Sequence, residues 1–68
     1  MTINYKKMWD LVEFCQLNKS ELQKLIDISA PTMSKLSKNE PVSIDIILRI
    51  CRVLHCDIGD IMEVQEDI

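Results

Sequence analysis

The sequence predicts an all-α fold, a compact bundle of five short helices over residues 4–16, 19–26, 30–38, 44–54 and 58–63, followed by an acidic tail over 64–68. Three observations predict it. Apolar residues recur along the chain at steps of three and four, the period of one buried helical face. Residues that cap helices stand at the heads of the periodic stretches, namely Asn18, Ser29, Ser43 and Asp57. The composition, 47% hydrophobic and 28% charged with one Gly and two Pro, is that of a folded, helix-rich chain. At 68 residues it is read as a single domain over 1–68, and a chain of this size buries only about 60% of the surface its unfolded form exposes.

The first helix rests on Tyr5, Met8, Val12 and Cys15, spaced three, four and three apart. Leu11 widens this face and Trp9 falls at its edge, where the core is favoured over the surface, as it is for Met62. Asn18 followed by Glu21 matches a capping box, and Leu17 to Leu22 has the spacing of a hydrophobic staple. The second helix therefore starts at residue 19, with Leu22, Leu25 and Ile26 inward. It is short, because Asp27 and Ser29 supply turn and cap chemistry before Pro31. Pro31 fits only in the first turn of the next helix, where its missing N–H has no intrahelical partner to lose.

In the third helix Met33 and Leu36, with Ile28 ahead of them, point inward. Ala30, Pro31, Ser34, Lys35 and Lys38 are left on the free face, and Asn39 suits a left-handed terminus. Ser43 caps the fourth helix, with Asp45 well placed against its dipole. Ile47, Ile50, Cys51 and Leu54 form its core face, and His55 is its dipole partner at the far end. Ile46, Leu48 and Val53 lie off that face, as an extension of the core or as a patch for a second copy; the patch is favoured, since a small domain seldom leaves large aliphatics together at its surface without a use. Asp57 caps the fifth helix, through Ile58, Ile61 and Met62.

Charge narrows the function. The net charge of −3 argues against non-specific nucleic-acid binding. Residues 19–38, however, carry Lys19, Lys24, Lys35 and Lys38 against Glu21 and Asp27, whereas residues 57–68 carry five acids and no base. Positive charge gathers on the two helices joined by the short turn, which read together as a helix-turn-helix. Lys24 brings only charge and is read as solvated surface. The three cysteines, Cys15, Cys51 and Cys56, with the lone His55, show no recognised zinc spacing, so free thiols and no metal are expected. No Ser/His/Asp or Cys/His set and no glycine-rich phosphate loop is present. An enzyme is not expected, nor a cofactor or a small-molecule ligand. No apolar run approaches the roughly 20 residues that cross a bilayer, so the expectation is a soluble cytoplasmic protein with no membrane partner.

The order LNKSEL, IS, SKL and PVSIDIILRICRVLHCDIGDIME, running from Leu17 to Glu63, resembles the Cro/repressor-type (XRE-like) helix-turn-helix regulators, and the likeness extends from Tyr5 to Glu63. It implies a lambda-repressor-like fold whose third helix lies in the major groove of double-stranded DNA, and a transcriptional regulator, a repressor, that works as a homodimer. Carried over by position, it assigns base contact to Ala30, Pro31, Thr32, Ser34 and Lys35, and phosphate contact to Asn18, Lys19, Lys38 and Asn39. Gln23 stands where the family usually has a small Ala, which implies a slightly wider helix crossing. Asp27 stands at the usual turn Gly and tolerates a left-handed backbone. The reading face lacks Arg, Gln and Asn, so modest affinity or dependence on a dimer, with the patch Ile46, Leu48 and Val53, is expected. The rival reading keeps the fold but gives it a protein partner, as an antitoxin-like or anti-repressor-like module. Acidic groups folded over the lysine strip would favour that rival.

Overall fold

The computed structural model describes residues 1–66. Its elements in chain order are β1 (Thr2–Asn4), α1 (Lys6–Phe14), α2 (Lys19–Ile26), α3 (Ala30–Ser37), α4 (Ile44–Leu54), a 3-10 turn (Ile58–Asp60) and β2 (Glu63–Gln65). The chain is thus mostly helical, with four α-helices rather than five. β1 and β2 pair antiparallel with Thr2 opposite Gln65, Ile3 opposite Val64 and Asn4 opposite Glu63.

One core joins the helices. α1 contributes Tyr5, at its start, with Met8 and Val12; α2 gives Leu22 and Ile26; α3 gives Met33 and Leu36; α4 gives Ile47, Ile50 and Leu54; Ile61 closes the end. Each helical pair is spaced three or four apart, so every helix buries one stripe. Leu25 falls off the stripe that Leu22 and Ile26 define and is 56% exposed, contrary to the inward position expected for it. Trp9 and Met62 are half-buried against the core. On α4 the apolar surplus divides. Ile46, Cys51 and Val53 pack at the margins of the core, whereas Ile44 and Leu48, one turn apart, are 63% and 55% exposed. Leu48 therefore lies about 160° around the helix from Ile46 and about 140° from Val53, and the three do not form one continuous surface.

The four helices share one way of stopping. Gln16, Asp27, Asn39 and His55 have φ of 59°, 54°, 58° and 53°, and beyond each of them the next N–H reaches back to the helical carbonyl five positions earlier. These bonds are Leu17 to Val12 (3.0 Å), Ile28 to Gln23 (3.3 Å), Glu40 to Lys35 (2.9 Å) and Cys56 to Cys51 (3.1 Å). This is the Schellman arrangement, built without glycine. It stops α1 at Phe14 rather than residue 16, and the turn at Gln16 leaves Cys15 exposed instead of inward. α1 also starts at Lys6, not at residue 4, since Asn4 is engaged in the strand pair.

The fifth helix and the acidic tail are corrected in the same region. Asp57 does cap, with Ile58 N–H donating to its Oδ1 at 2.8 Å and its own N–H donating to Asp60 Oδ2 at 2.9 Å. The box closes a single 3-10 turn, because Ile61 then drops into the core and the chain extends to pair with β1. Ile58, expected in the core, is 39% exposed. Residues 63–65 form a strand rather than a frayed end, and residues 67 and 68 of the expected tail lie outside the described residues.

Tyr5 locks α1 to the end of α3. Its hydroxyl donates to Glu40 O at 2.8 Å, and its backbone N–H donates to Asn39 Oδ1 at 3.0 Å. Burial raises the phenol above its ordinary value of 10.0, opposed by a hydrogen bond from the Val42 backbone. A raised phenol means that the fold favours the neutral form. The Tyr5 contribution is therefore complete below pH 10.0 and is lost as pH rises beyond it. Tyr5→Phe is expected to cost about 1 kcal/mol at neutral pH and to lessen the loss of stability above pH 10.0. Urea titrations at neutral and alkaline pH check both; an equally steep alkaline loss in the variant would place its origin elsewhere.

Candidate nucleic-acid interface

The α2–turn–α3 unit is built from local caps and held from outside by α4. At the head of α2, Glu21 N–H donates to Asn18 Oδ1 at 2.7 Å and Asn18 N–H donates to Glu21 Oε1 at 3.1 Å, so the capping box forms in both directions. α2 ends at Asp27 in the left-handed region, the residue expected to carry that backbone. Arg49 of α4 then donates through Nη1 to Ile26 O (3.3 Å) and Asp27 O (3.0 Å), and its Nη2 lies 2.9 Å from Asp45 Oδ2. These bonds satisfy carbonyls that the helix end leaves without partners.

α3 begins from Ser29, whose Oγ accepts from Thr32 N–H at 3.4 Å and lies 3.0 Å from Thr32 Oγ1. Pro31 sits in the first turn, as its chemistry requires. With Met33 and Leu36 buried, the outer face of α3 presents Ala30, Pro31, Ser34, Lys35 and Ser37, with Lys38 at its end. Thr32 is half-buried and its hydroxyl is engaged by Ser29, so of the residues matched to base contact it is the least available.

The residues matched to phosphate contact lie at two helix ends. Lys19 Nζ donates to Ser37 Oγ at 3.3 Å and stands 5.1 Å over the Trp9 ring centroid, so the start of α2 meets the end of α3. Lys38 follows α3 directly. Asn18 and Asn39 are exposed, but each uses its side-chain oxygen within the fold, for Glu21 N–H and Tyr5 N–H respectively. Lys24, Lys35 and Lys38 make no ion pair among the described residues. Three of the four described acids of the C-terminal segment are held elsewhere: Glu63 is 3.8 Å from Lys7 of α1, and Asp57 and Asp60 cap each other's turn.

A family model, the Cro/C1-type HTH DNA-binding domain, matches residues 7–67. The chain belongs to this family. Among solved structures, the crystal structure of the transcriptional regulator VanUg, form II, is similar with a TM-score of 0.93 and 39% identity, over 97% of this chain and 88% of that one. No curated protein matches. The chain is accordingly a DNA-binding regulator of the Cro/C1 type with the helix-turn-helix at α2 and α3, and the resemblance drawn from its sequence holds.

Within this Cro/C1-type domain, three residues bear on the interface that periodicity did not single out. Trp9 faces Lys19 from α1, Ser37 takes its hydrogen bond, and Arg49 clamps the turn from α4. Only Trp9 gave a signal, as an aromatic at the edge of the α1 stripe. Among the described residues no group of three His, Cys, Asp or Glu could hold a metal ion, and no helix is long and apolar enough to cross a membrane.

Proposed function

We propose that this chain, as one domain over residues 1–68, binds double-stranded DNA sequence-specifically in the cytoplasm and represses transcription, with α3 in the major groove. Family membership together with the free face of α3 carries the reading. Ala30, Pro31, Thr32 and Ser34 offer small apolar and hydroxyl groups that suit thymine methyls and base edges, and Lys35 can reach guanine O6 and N7. Asn18, Lys19, Lys38 and Asn39 flank that face, where contacts to phosphate set register without reading sequence. The open lysine strip supports DNA rather than a protein as the partner. Repression follows from occupancy, since a domain seated in the groove excludes other proteins from that duplex. The role is binding, with no catalysis.

The reading face has one long base reader, so a homodimer that engages two half-sites about one helical turn apart would supply the affinity. Of Ile46, Leu48 and Val53, Leu48 alone is exposed, beside Ile44, and this part of α4 is the surface for a second copy.

Duplex binding measured across a salt series tests the proposal. Affinity should fall steeply as salt rises. Lys38→Ala should weaken all sequences alike and shallow the salt slope by about one contact, whereas Lys35→Ala should relax base preference at one position by about 1–3 kcal/mol. Salt-insensitive affinity, or two variants that bind as the parent does, would remove α3 from the groove.

A further inference from the structure

The C-terminal turn of α4 brings two thiols together. His55 takes the left-handed conformation, and Cys56 N–H returns to Cys51 O at 3.1 Å. In this motif the side chains at the two ends of the returning bond frequently meet, as two hydrophobes, and the Cys56 thiol has Cys51 as a side-chain hydrogen-bond neighbour. Here both are cysteines, each half-buried at the margin of the core. Burial, and then the neighbouring Cys51 with Asp60 and Asp57, pushes the Cys56 thiol up to about 11, so it keeps its proton at neutral pH. No third donor completes a metal set among the described residues. Cys15, the remaining cysteine, is exposed beyond the end of α1.

We propose that Cys51 and Cys56 form a reversible dithiol–disulfide site, oxidised by hydroperoxides, that locks the C-terminal turn of α4. The Cys51 sulfur attacks the peroxide: the O–O bond breaks, an S–O bond forms, and an alcohol, or water from hydrogen peroxide, leaves with the thiol proton. The Cys56 sulfur then attacks the sulfenic sulfur, an S–S bond forms, and the S–O bond breaks to release water with the second proton. Two electrons pass from the sulfurs to the peroxide. Cys56, whose thiol burial pushes up, takes the second step. The bond closes a ring within a turn that the backbone already makes, so it restrains the unfolded chain while leaving the helix end in place.

The test uses the full chain carrying Cys15→Ser, treated with equimolar hydrogen peroxide and digested with trypsin without reduction. Cleavage after Arg49 and Arg52 puts the two thiols on separate peptides, residues 50–52 and 53–68, which only the disulfide joins. The expected result is that linked pair, an intact mass lower by two hydrogens, reversal by dithiothreitol, and an unfolding temperature raised by several degrees. Cys56→Ala should lose the link and leave Cys51 as a sulfenic acid trapped by a 1,3-dicarbonyl probe. Covalent dimers, trapped sulfenic acid without a link in the chain that retains Cys56, or a disulfide that lowers the unfolding temperature would overturn the proposal. The digest decides without the Cys56→Ala chain, should that variant fold poorly.

Discussion

Leu36→Ala is expected to destabilise the protein by about 2–5 kcal/mol, the cost of truncating a leucine in a packed core. Leu36 is wholly buried, on the side of α3 opposite Ser34 and Lys35. Domains are stable by roughly 0.05–0.15 kcal/mol per residue, so in a chain this short the loss is a large share of the total. DNA binding should fall with the fold, although no residue proposed to read bases has changed. Urea denaturation checks this: the midpoint should drop sharply with the slope unchanged. Leu25→Ala is the control, since an exposed site away from special features stays within about 0.5 kcal/mol. Equal effects of the two substitutions would contradict the core described for α2 and α3.

Asn39→Ala is expected to cost about 2–3 kcal/mol from two separable causes. The left-handed backbone at φ 58° is strained for alanine, and Tyr5 N–H loses the acceptor that Asn39 Oδ1 provides. Asn39→Gly relieves the strain and forfeits only the hydrogen bond, so it should cost about 1 kcal/mol. Thermal unfolding of the pair distinguishes the contributions, and glycine as damaging as alanine would assign the whole effect to the bond. Asn39→Gly also bears on the interface, because it removes the proposed phosphate contact while keeping the turn. Weaker binding by a well-folded Asn39→Gly chain would support that contact.

The elements that could be read in the sequence are those whose instructions are local. α2 and α4 begin and end where expected, because Asn18 with Glu21 and Ser43 cap them and the apolar stripes run uninterrupted between their ends. α3 ends one residue early, and Asn39 and Asp27 take the left-handed backbone expected of them. Gln16 and His55 take it too, and the residues after them, Leu17 and Cys56, pack against the core. The fifth helix failed because Asp57 and Asp60 cap equally well a turn that ends after three residues, and the partner that draws the chain away is β1, some sixty positions earlier. The same distance hid the supports of the site. The Tyr5–Asn39 bond, the Arg49 clamp on the turn and the Lys19 position over Trp9 each join residues remote in sequence, which periodicity does not relate. The free face of α3 was legible as a face; which atoms on and beside it remain available was not, since Thr32 on α3 and Asn18 and Asn39 at the flanking helix ends prove to be partly engaged.

The pairing of β1 with β2 sets an order of events in time. Helices grow from near neighbours, whereas the Thr2 to Gln65 ladder must close a loop that contains every helix. A two-stranded ribbon is marginal by itself, so it gains its persistence only after Tyr5 and Ile61 are seated at either side of it. The ladder is expected to zip last and to open first, with the caps at Asn18 and Ser29 left in place. Among the hydrogen-bonded amides, exchange with solvent is accordingly expected to run fastest at the meeting of the two strands and slowest along the inner stripe of α4.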